Sequence, residues 1–215
     1  MSISLFVCTP AYGGNMNVNY VISIIDLERK CRAENIEIAY YFLSNESLIQ
    51  RARNILCKNF IDSKFSHMIF IDADIEFNAD DIIRMIKADV SVIGGVYPKK
   101  KVTYESSKPI YDYVVMPLTK EHTFTDINQP QPVKYIGTGL LLIKRHVLDD
   151  ILAADRNRWF NADGSLYYAY FDCIIKDNIY LSEDYYFCEK WQELGGIIYA
   201  AFWMRCKHWG MIGYG

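Results

Sequence analysis

Short apolar runs alternate with segments of helical spacing through the first half of the chain. Ser4-Leu5-Phe6-Val7-Cys8 reads as a strand, and Thr9-Pro10-Ala11-Tyr12-Gly13-Gly14 reads as a tight loop behind it, because Pro and paired Gly break an extended run. Val18, Val21, Ile22, Ile25, Leu27 and Cys31 then recur at helical steps until Glu34-Asn35. A second strand pattern covers Ile36 to Leu43, and Ser44-Asn45-Glu46-Ser47 offer caps for a helix with Leu48, Ile49, Ala52, Ile55, Leu56 and Phe60 on its apolar face. His67-Met68-Ile69-Phe70-Ile71 has the composition of a strand buried on both faces, and it stops at Asp72-Ala73-Asp74. A helix around Asp80 to Ala88 and a glycine-broken strand from Val90 to Tyr97 complete this half. Strand, helix and strand in succession imply parallel crossovers and a doubly wound α/β layout.

From Pro98 to Pro132 the periodicity disappears. Lys99-Lys100-Lys101 opens this segment and Gln129-Pro130-Gln131-Pro132 closes it. A long stretch without a pattern is a lid, a binding loop or a disordered insert, although Tyr104, Tyr111, Tyr113, Val114 and Val115 leave room for a hairpin. Order resumes at Val133 to Arg145, a strand carrying Gly137 and Gly139, and glycine within a strand marks a bulge or a place where another group must approach the backbone closely. A helix from His146 to about Ala154 follows, then an aromatic stretch at Tyr167 to Phe171 and a helix opening on Ser182-Glu183-Asp184. Gly195-Gly196 stops that helix, and a last strand region ends in Arg205-Cys206-Lys207-His208-Trp209-Gly210.

With 215 residues and 51% hydrophobic content, the chain can bury one full core without staples. Its net charge of −3 gives no electrostatic case for nucleic acid or an anionic membrane surface, so any phosphate binding has to be local. The six cysteines are scattered with no C-x-x-C pair, the pattern of reduced, buried thiols rather than of a disulfide framework or zinc knuckle. There is no signal-peptide pattern and no apolar run long enough to span a bilayer, so a soluble, cytoplasmic protein is expected. The chain stops at Gly213-Tyr214-Gly215 without a terminal element, as expected of a domain with further domains beside it in a longer protein.

The chemistry concentrates at Asp72-Ala73-Asp74. In an open α/β sheet ligands bind outside the carboxyl ends of the strands, and alternate residues of an extended chain share a side. Two acids there suit a hard cation shared with substrate phosphates; the alternative is an acidic turn in which they only orient a loop. Arg51-Ala52-Arg53-Asn54 lies one helix upstream, where a guanidinium can reach the same edge and fork onto phosphate. His208 is a nitrogen donor at the end of the last strand region, and Ser182-Glu183-Asp184 sets two acids in a first helical turn, where the helix dipole alone suffices to explain them. One of those carboxylates is a candidate proton acceptor. Trp203, Trp209 and Tyr97 are candidates for a wall against a sugar ring, or for packing.

Thr9-Pro10-Ala11-Tyr12, Ala52-Arg53-Asn54, Asp72-Ala73-Asp74, Gly137-Thr138-Gly139, Glu183-Asp184 and late His208, in this order, resemble the GT-A fold of nucleotide-sugar glycosyltransferases of the D-x-D type. The chain looks closest to small viral or bacterial-type members, such as the N-terminal domain of a chlorovirus-encoded multidomain glycosyltransferase. The resemblance implies a Rossmann-like, three-layer α/β/α sandwich around a central, mainly parallel mixed sheet. It divides a single domain, 1–215, into a nucleotide-binding half (1–97), a flexible loop (98–132) and an acceptor and catalytic half (133–215). It implies transfer of a hexose, of glucose type, from a UDP-sugar to a hydroxyl of a glycan acceptor, with Mn²⁺ or Mg²⁺ as cofactor. Thr9, Pro10, Ala11 and Tyr12 would hold the nucleoside, Arg53 the base or diphosphate, and Asp72 with Ala73 the ribose and metal. Asp74 and His208 would ligate the metal directly, Gly137 and Gly139 would line the sugar cleft, and Asp184 with Glu183 would include the base. Two other readings stay open: a haloacid-dehalogenase-type phosphatase with Asp72 as nucleophile, in which Glu76 departs from the expected Thr or Val, and a nucleotide-sugar-binding module without turnover.

Overall fold

The structure, a computed structural model, describes residues 3–155, 157–161, 164–210 and 213–214. The chain opens on β1 (Ser4–Ala11), so Thr9, Pro10 and Ala11 extend the strand instead of forming the loop expected there. They pair with β2 (Glu37–Ser44), whereas the register with the strand on the other side covers only Leu5 to Cys8. Pro10 therefore sits where its missing N–H leaves no ladder bond unmade on that side. The chain turns at Tyr12–Gly14, a short 3₁₀ segment with Gly13 and Gly14 both at a φ of 70°. Helix α1 (Val18–Ala33) is capped by Asn17, whose side chain accepts from the Asn19 amide. Helix α2 (Ile49–Asp62) has Leu48 at its N-cap position, one residue past the Ser44-to-Ser47 candidates. Instead, Glu46 accepts from the Leu48 amide and from Arg51 Nε, which holds Arg51 outside while Arg53 enters the core.

β3 (His67–Ile71) is buried along its whole length and is followed by β4 (Ile75–Phe77), α3 (Ala79–Lys87) and β5 (Val92–Gly95). The hairpin for which the segment from residue 98 left room is present: β6 (Pro98–Glu105) and β7 (Lys108–Tyr113) run antiparallel and turn at Ser106 and Ser107, both at positive φ. Next come β8 (Val115–Met116), β9 (Gln131–Val133), β10 (Tyr135–Ile136) and β11 (Leu140–Lys144). The single strand expected over 133–145 is thus three, because Gly137-Thr138-Gly139 takes the chain from the small β8–β10 pair into the main sheet. Helix α4 (Arg145–Ala154), β12 (Arg158–Phe160), β13 (Leu166–Tyr168), β14 (Ile174–Lys176), β15 (Ile179–Leu181), α5 (Glu183–Glu193), β16 (Ile198–Ala201), β17 (Cys206–Trp209) and β18 (Gly213–Tyr214) complete the chain.

The main sheet runs β2-β1-β3-β11-β5-β16-β9. Strands β1, β2, β3, β5 and β16 share one direction, and β11 and β9 oppose it. Side-chain alternation then builds two cores. Leu5, Val7, Ile69 and Ile71 face one side and pack with Leu27 and Cys31 of α1 and Ile82 and Ile86 of α3. Phe6, Cys8, Met68 and Phe70 face the other, with Leu56 and Phe60 of α2, Leu148 of α4 and Phe187 of α5. The result is a three-layer α/β/α sandwich. All six cysteines are free, and burial pushes the Cys31 thiol up to about 11 and the Cys188 thiol up to about 12. No described helix is long and apolar enough to cross a membrane.

One peripheral pairing positions the site. β17 lies antiparallel to β4, with His208 opposite Ile75, and the Trp209 amide donates to the Asp74 carbonyl at 2.8 Å. Arg205 anchors this strand by a two-pronged contact with the buried carboxylate of Asp81 at the start of α3. The far end of the chain is thereby stitched onto the acid turn that follows β3.

Candidate active site

Arg53 enters from α2 with a side chain only 3% exposed, over the Phe70 ring at 5.2 Å. Its Nη2 meets Asp72 Oδ1 at 3.2 Å and Oδ2 at 3.4 Å, and its Nε lies 3.5 Å from Glu183 Oε1. Burial alone would lower the Arg53 pKa, but Asp72 and then Glu183 outweigh it and hold the guanidinium charged. The Glu183 carboxyl is raised, chiefly by burial; Arg53 opposes that shift and Asp184 adds to it. Asp184, the next residue, accepts from its own helix start, the Ser182 hydroxyl and the Tyr185 amide, through Oδ1. The two acids of α5 thus face different work: Glu183 looks into the sheet edge, and Asp184 spends one oxygen on the helix N-terminus.

Asp74 sits past the turn, away from Arg53. Its Oδ2 receives Lys100 Nζ at 2.5 Å and its Oδ1 lies 3.4 Å from His208 Nε2. Burial alone would raise this carboxyl; His208 and Lys100 outweigh it and hold it below the usual carboxylate range. His208 Nδ1 is 3.0 Å from the Pro98 carbonyl, an acceptor only, so Nδ1 carries a proton there and Nε2 is the ring nitrogen turned toward Asp74. A backbone carbonyl fixing one ring nitrogen while the other faces outward is the arrangement of metal-ligating histidines. Among the described residues no three His, Cys, Asp or Glu side chains converge on one point. A hard cation completed by substrate phosphates and water needs only one or two such ligands, so the Asp74–His208 pair fits one. Asp72 was expected to be a ligand as well, but both its oxygens face Arg53 and it does not join that pair.

The glycines of 137–139 are buried beneath this edge and do not line an open cleft. A Cβ on Gly137 would fall 2.3 Å from Val114 Cγ1, and one on Gly139 would fall 2.4 Å from the Tyr97 hydroxyl. Only glycine lets Tyr97 Oη accept from the Gly139 amide and Asp72 N donate to the Gly139 carbonyl. The buried Thr138 hydroxyl between them has no hydrogen-bond partner, while the Thr138 carbonyl receives Arg53 Nη1 at 3.4 Å. Thr9 is buried against the Tyr20 hydroxyl, Pro10 and Ala11 are in β1, and Tyr12 stands out in solvent at 70% exposed. The Ala73 carbonyl is taken by the Asn17 amide. Asn54 instead straps the chain: its amide group donates to the Phe171 carbonyl and accepts from the Phe171 amide.

The three aromatic candidates take packing roles and form no common wall. Trp203 lies against the Arg84 guanidinium at 4.3 Å and Trp209 donates to Glu76, leaving Tyr97 edge-on to His208. Lys100 is the residue that sequence reasoning missed. It was passed over as one of three lysines opening an unpatterned segment, and only the hairpin places it on Asp74. A cavity of about 670 Å³ lies at the opposite edge of the sheet, beside Lys144 and Arg145. Two of its cations are already committed, Arg145 to carbonyls at the end of α2 and Lys144 to Asp89.

No family model matches the chain, and no curated protein matches it. Among solved structures, A197 from STIV aligns with a TM-score of 0.57 at 20% identity, over 97% of this chain and 86% of that one. GalNAc-T7, solved with UDP, GalNAc and Mn²⁺, aligns with a TM-score of 0.50 at 14% identity, over 97% of this chain. The chain has a GT-A-type α/β fold. It spans 44% of the GalNAc-T7 chain, and at these identities the likeness concerns the fold alone.

Proposed function

We propose that this chain is a metal-dependent glycosyltransferase that moves a hexose, of glucose type, from a UDP-sugar to a hydroxyl of a glycan acceptor. The observation that carries this reading is the pair Asp74 Oδ1 and His208 Nε2, which face each other at 3.4 Å on the acid turn that Asp72 ties to the buried Arg53. Asp74 and His208 would hold Mn²⁺ or Mg²⁺, and the cation, when bound, supplies positive charge to a diphosphate leaving group. GalNAc-T7, similar in fold, is crystallised with that class of ligand set, which supports the choice.

Arg53 and Asp72 form a fixed donor and acceptor pair at the carboxyl end of β3, suited to the ribose and phosphate end of a nucleotide. The end of β1, from Thr9 to Tyr12, lies beside that edge and would take the nucleoside. In transfer, the acceptor oxygen bonds to the anomeric carbon, the bond from that carbon to the diphosphate oxygen breaks, and the acceptor proton passes to a carboxylate. Asp184 and Glu183 are the candidates for that carboxylate. Burial lifts Glu183 toward the range in which a carboxylate holds a proton effectively, and Asp184 keeps Oδ2 free of the helix start. A phosphatase with Asp72 as nucleophile fits less well, because both Asp72 oxygens are drawn onto a buried guanidinium.

A panel of nucleotide sugars incubated with Mn²⁺ tests the reading, with release of free nucleotide as the readout. UDP release from a UDP-hexose that collapses in Asp184→Asn or Glu183→Gln is the expected outcome. Unchanged release in both variants removes the pair from catalysis, and no release from any donor leaves the binding module as the surviving reading.

A further inference from the structure

Both residues offered to the cation are already touched by one strand. β6 contributes the Pro98 carbonyl to His208 Nδ1 and, two residues on, the Lys100 ammonium to Asp74 Oδ2. The β6–β7 register slips between Pro98 and Val102, so Lys100 sits in the irregular part of the hairpin, and its ammonium reaches the acid turn. The two contacts differ in kind. The Pro98 carbonyl fixes the tautomer that exposes Nε2 and so favours a cation, whereas the Lys100 ammonium competes with a cation for the same carboxylate. As a half-exposed pair, Lys100–Asp74 adds little to stability and is readily displaced.

Resting on the proposed function, we infer that Lys100 makes metal binding conditional on the diphosphate. Without nucleotide, a divalent ion must displace the ammonium from Asp74 and leave it without an anionic partner. With a diphosphate present, the released ammonium gains phosphate oxygens, so the same displacement costs far less. Lys100 is a specificity-determining residue in this sense: it discriminates the metal–diphosphate pair from the free metal. By reciprocity, the metal must then tighten diphosphate binding by the same factor.

Titration of Mn²⁺ into the full chain by calorimetry, with and without saturating UDP, tests this. In the wild type UDP is expected to tighten Mn²⁺ binding by about tenfold or more, within the usual range of coupling between sites. In Lys100→Met, Mn²⁺ alone should bind about tenfold more tightly than to the wild type, and the effect of UDP should shrink accordingly. Lys100→Arg, which keeps the charge, should behave as the wild type. Mn²⁺ affinity indifferent to Lys100→Met overturns this role for Lys100 and leaves the proposed function standing. Absence of Mn²⁺ binding to every variant, with UDP present, overturns both.

Discussion

Arg53 reaches Asp72 over an aromatic ring: its guanidinium lies over the Phe70 ring and its Nη2 is 3.2 Å from Asp72 Oδ1. The pair joins α2 to the end of β3 and brings Glu183 of α5 to the same cation. Removing the cation leaves two acids facing each other in a largely desolvated place. Arg53→Ala is therefore expected to destabilise the fold by roughly 3–5 kcal/mol in urea unfolding, the cost of breaking one side of a buried pair. Asp72→Asn, which leaves Glu183 as counter-ion, should cost less. Equal losses in the two variants would show that Arg53 is held by its stem and not by its charge.

Gly139 bears on the same point from the steric side. Gly139→Ala drives a methyl group into the Tyr97 hydroxyl and against Asp72 Oδ2, and β11 is paired on both sides and cannot yield. A loss of about 1–3 kcal/mol, typical of overpacking, is expected together with weaker UDP binding, because Asp72 is displaced with the turn. Wild-type stability in this variant would mean that Tyr97 moves freely.

The layered fold was legible because its signals are local. The run from His67 to Ile71 and the helical steps of α1 to α3 each report burial within a few residues. The acid turn was legible for the same reason, a charge at the end of an apolar run, and Arg53 stood out by its place one helix upstream. Lys100 was not, since its role depends on a hairpin whose strands are mostly exposed and carry no periodic pattern. The end of β1 was misread as a loop because Pro10 normally breaks a strand, and nothing local announces that it sits beyond the reach of β3. Nor does sequence separate Glu183 from Asp184; only the packing of α5 does.

Glu183 carries a pH signature. Its folded pKa is raised, so the folded state binds its proton more tightly than the unfolded chain does. The resulting loss of stability begins as pH rises through the ordinary glutamate value of 4.5 and is complete above the folded pKa. Glu183→Gln removes that loss. Its melting temperature relative to the wild type should be higher at pH 7 than at pH 4, measured by thermal scans at both values. A difference that does not change with pH would mean that Arg53 fully compensates the buried charge.

Asn54 carries the prediction most remote from the chemistry. Asn54→Ala strands the amide and carbonyl of Phe171 in the core, at roughly 1–3 kcal/mol for each unsatisfied group. Amide exchange at Phe171 should rise in this variant while Mn²⁺-dependent UDP binding persists at low temperature. Unchanged exchange would show that other contacts hold the segment after β13.

The most direct measurement is UDP binding by calorimetry in the presence and absence of Mn²⁺, for the wild type and for Asp74→Ala. If Asp74 and His208 hold the cation that binds the diphosphate, the wild type binds UDP much more tightly with Mn²⁺, and Asp74→Ala loses that difference. Metal-dependent UDP binding that survives intact in Asp74→Ala would contradict the assignment.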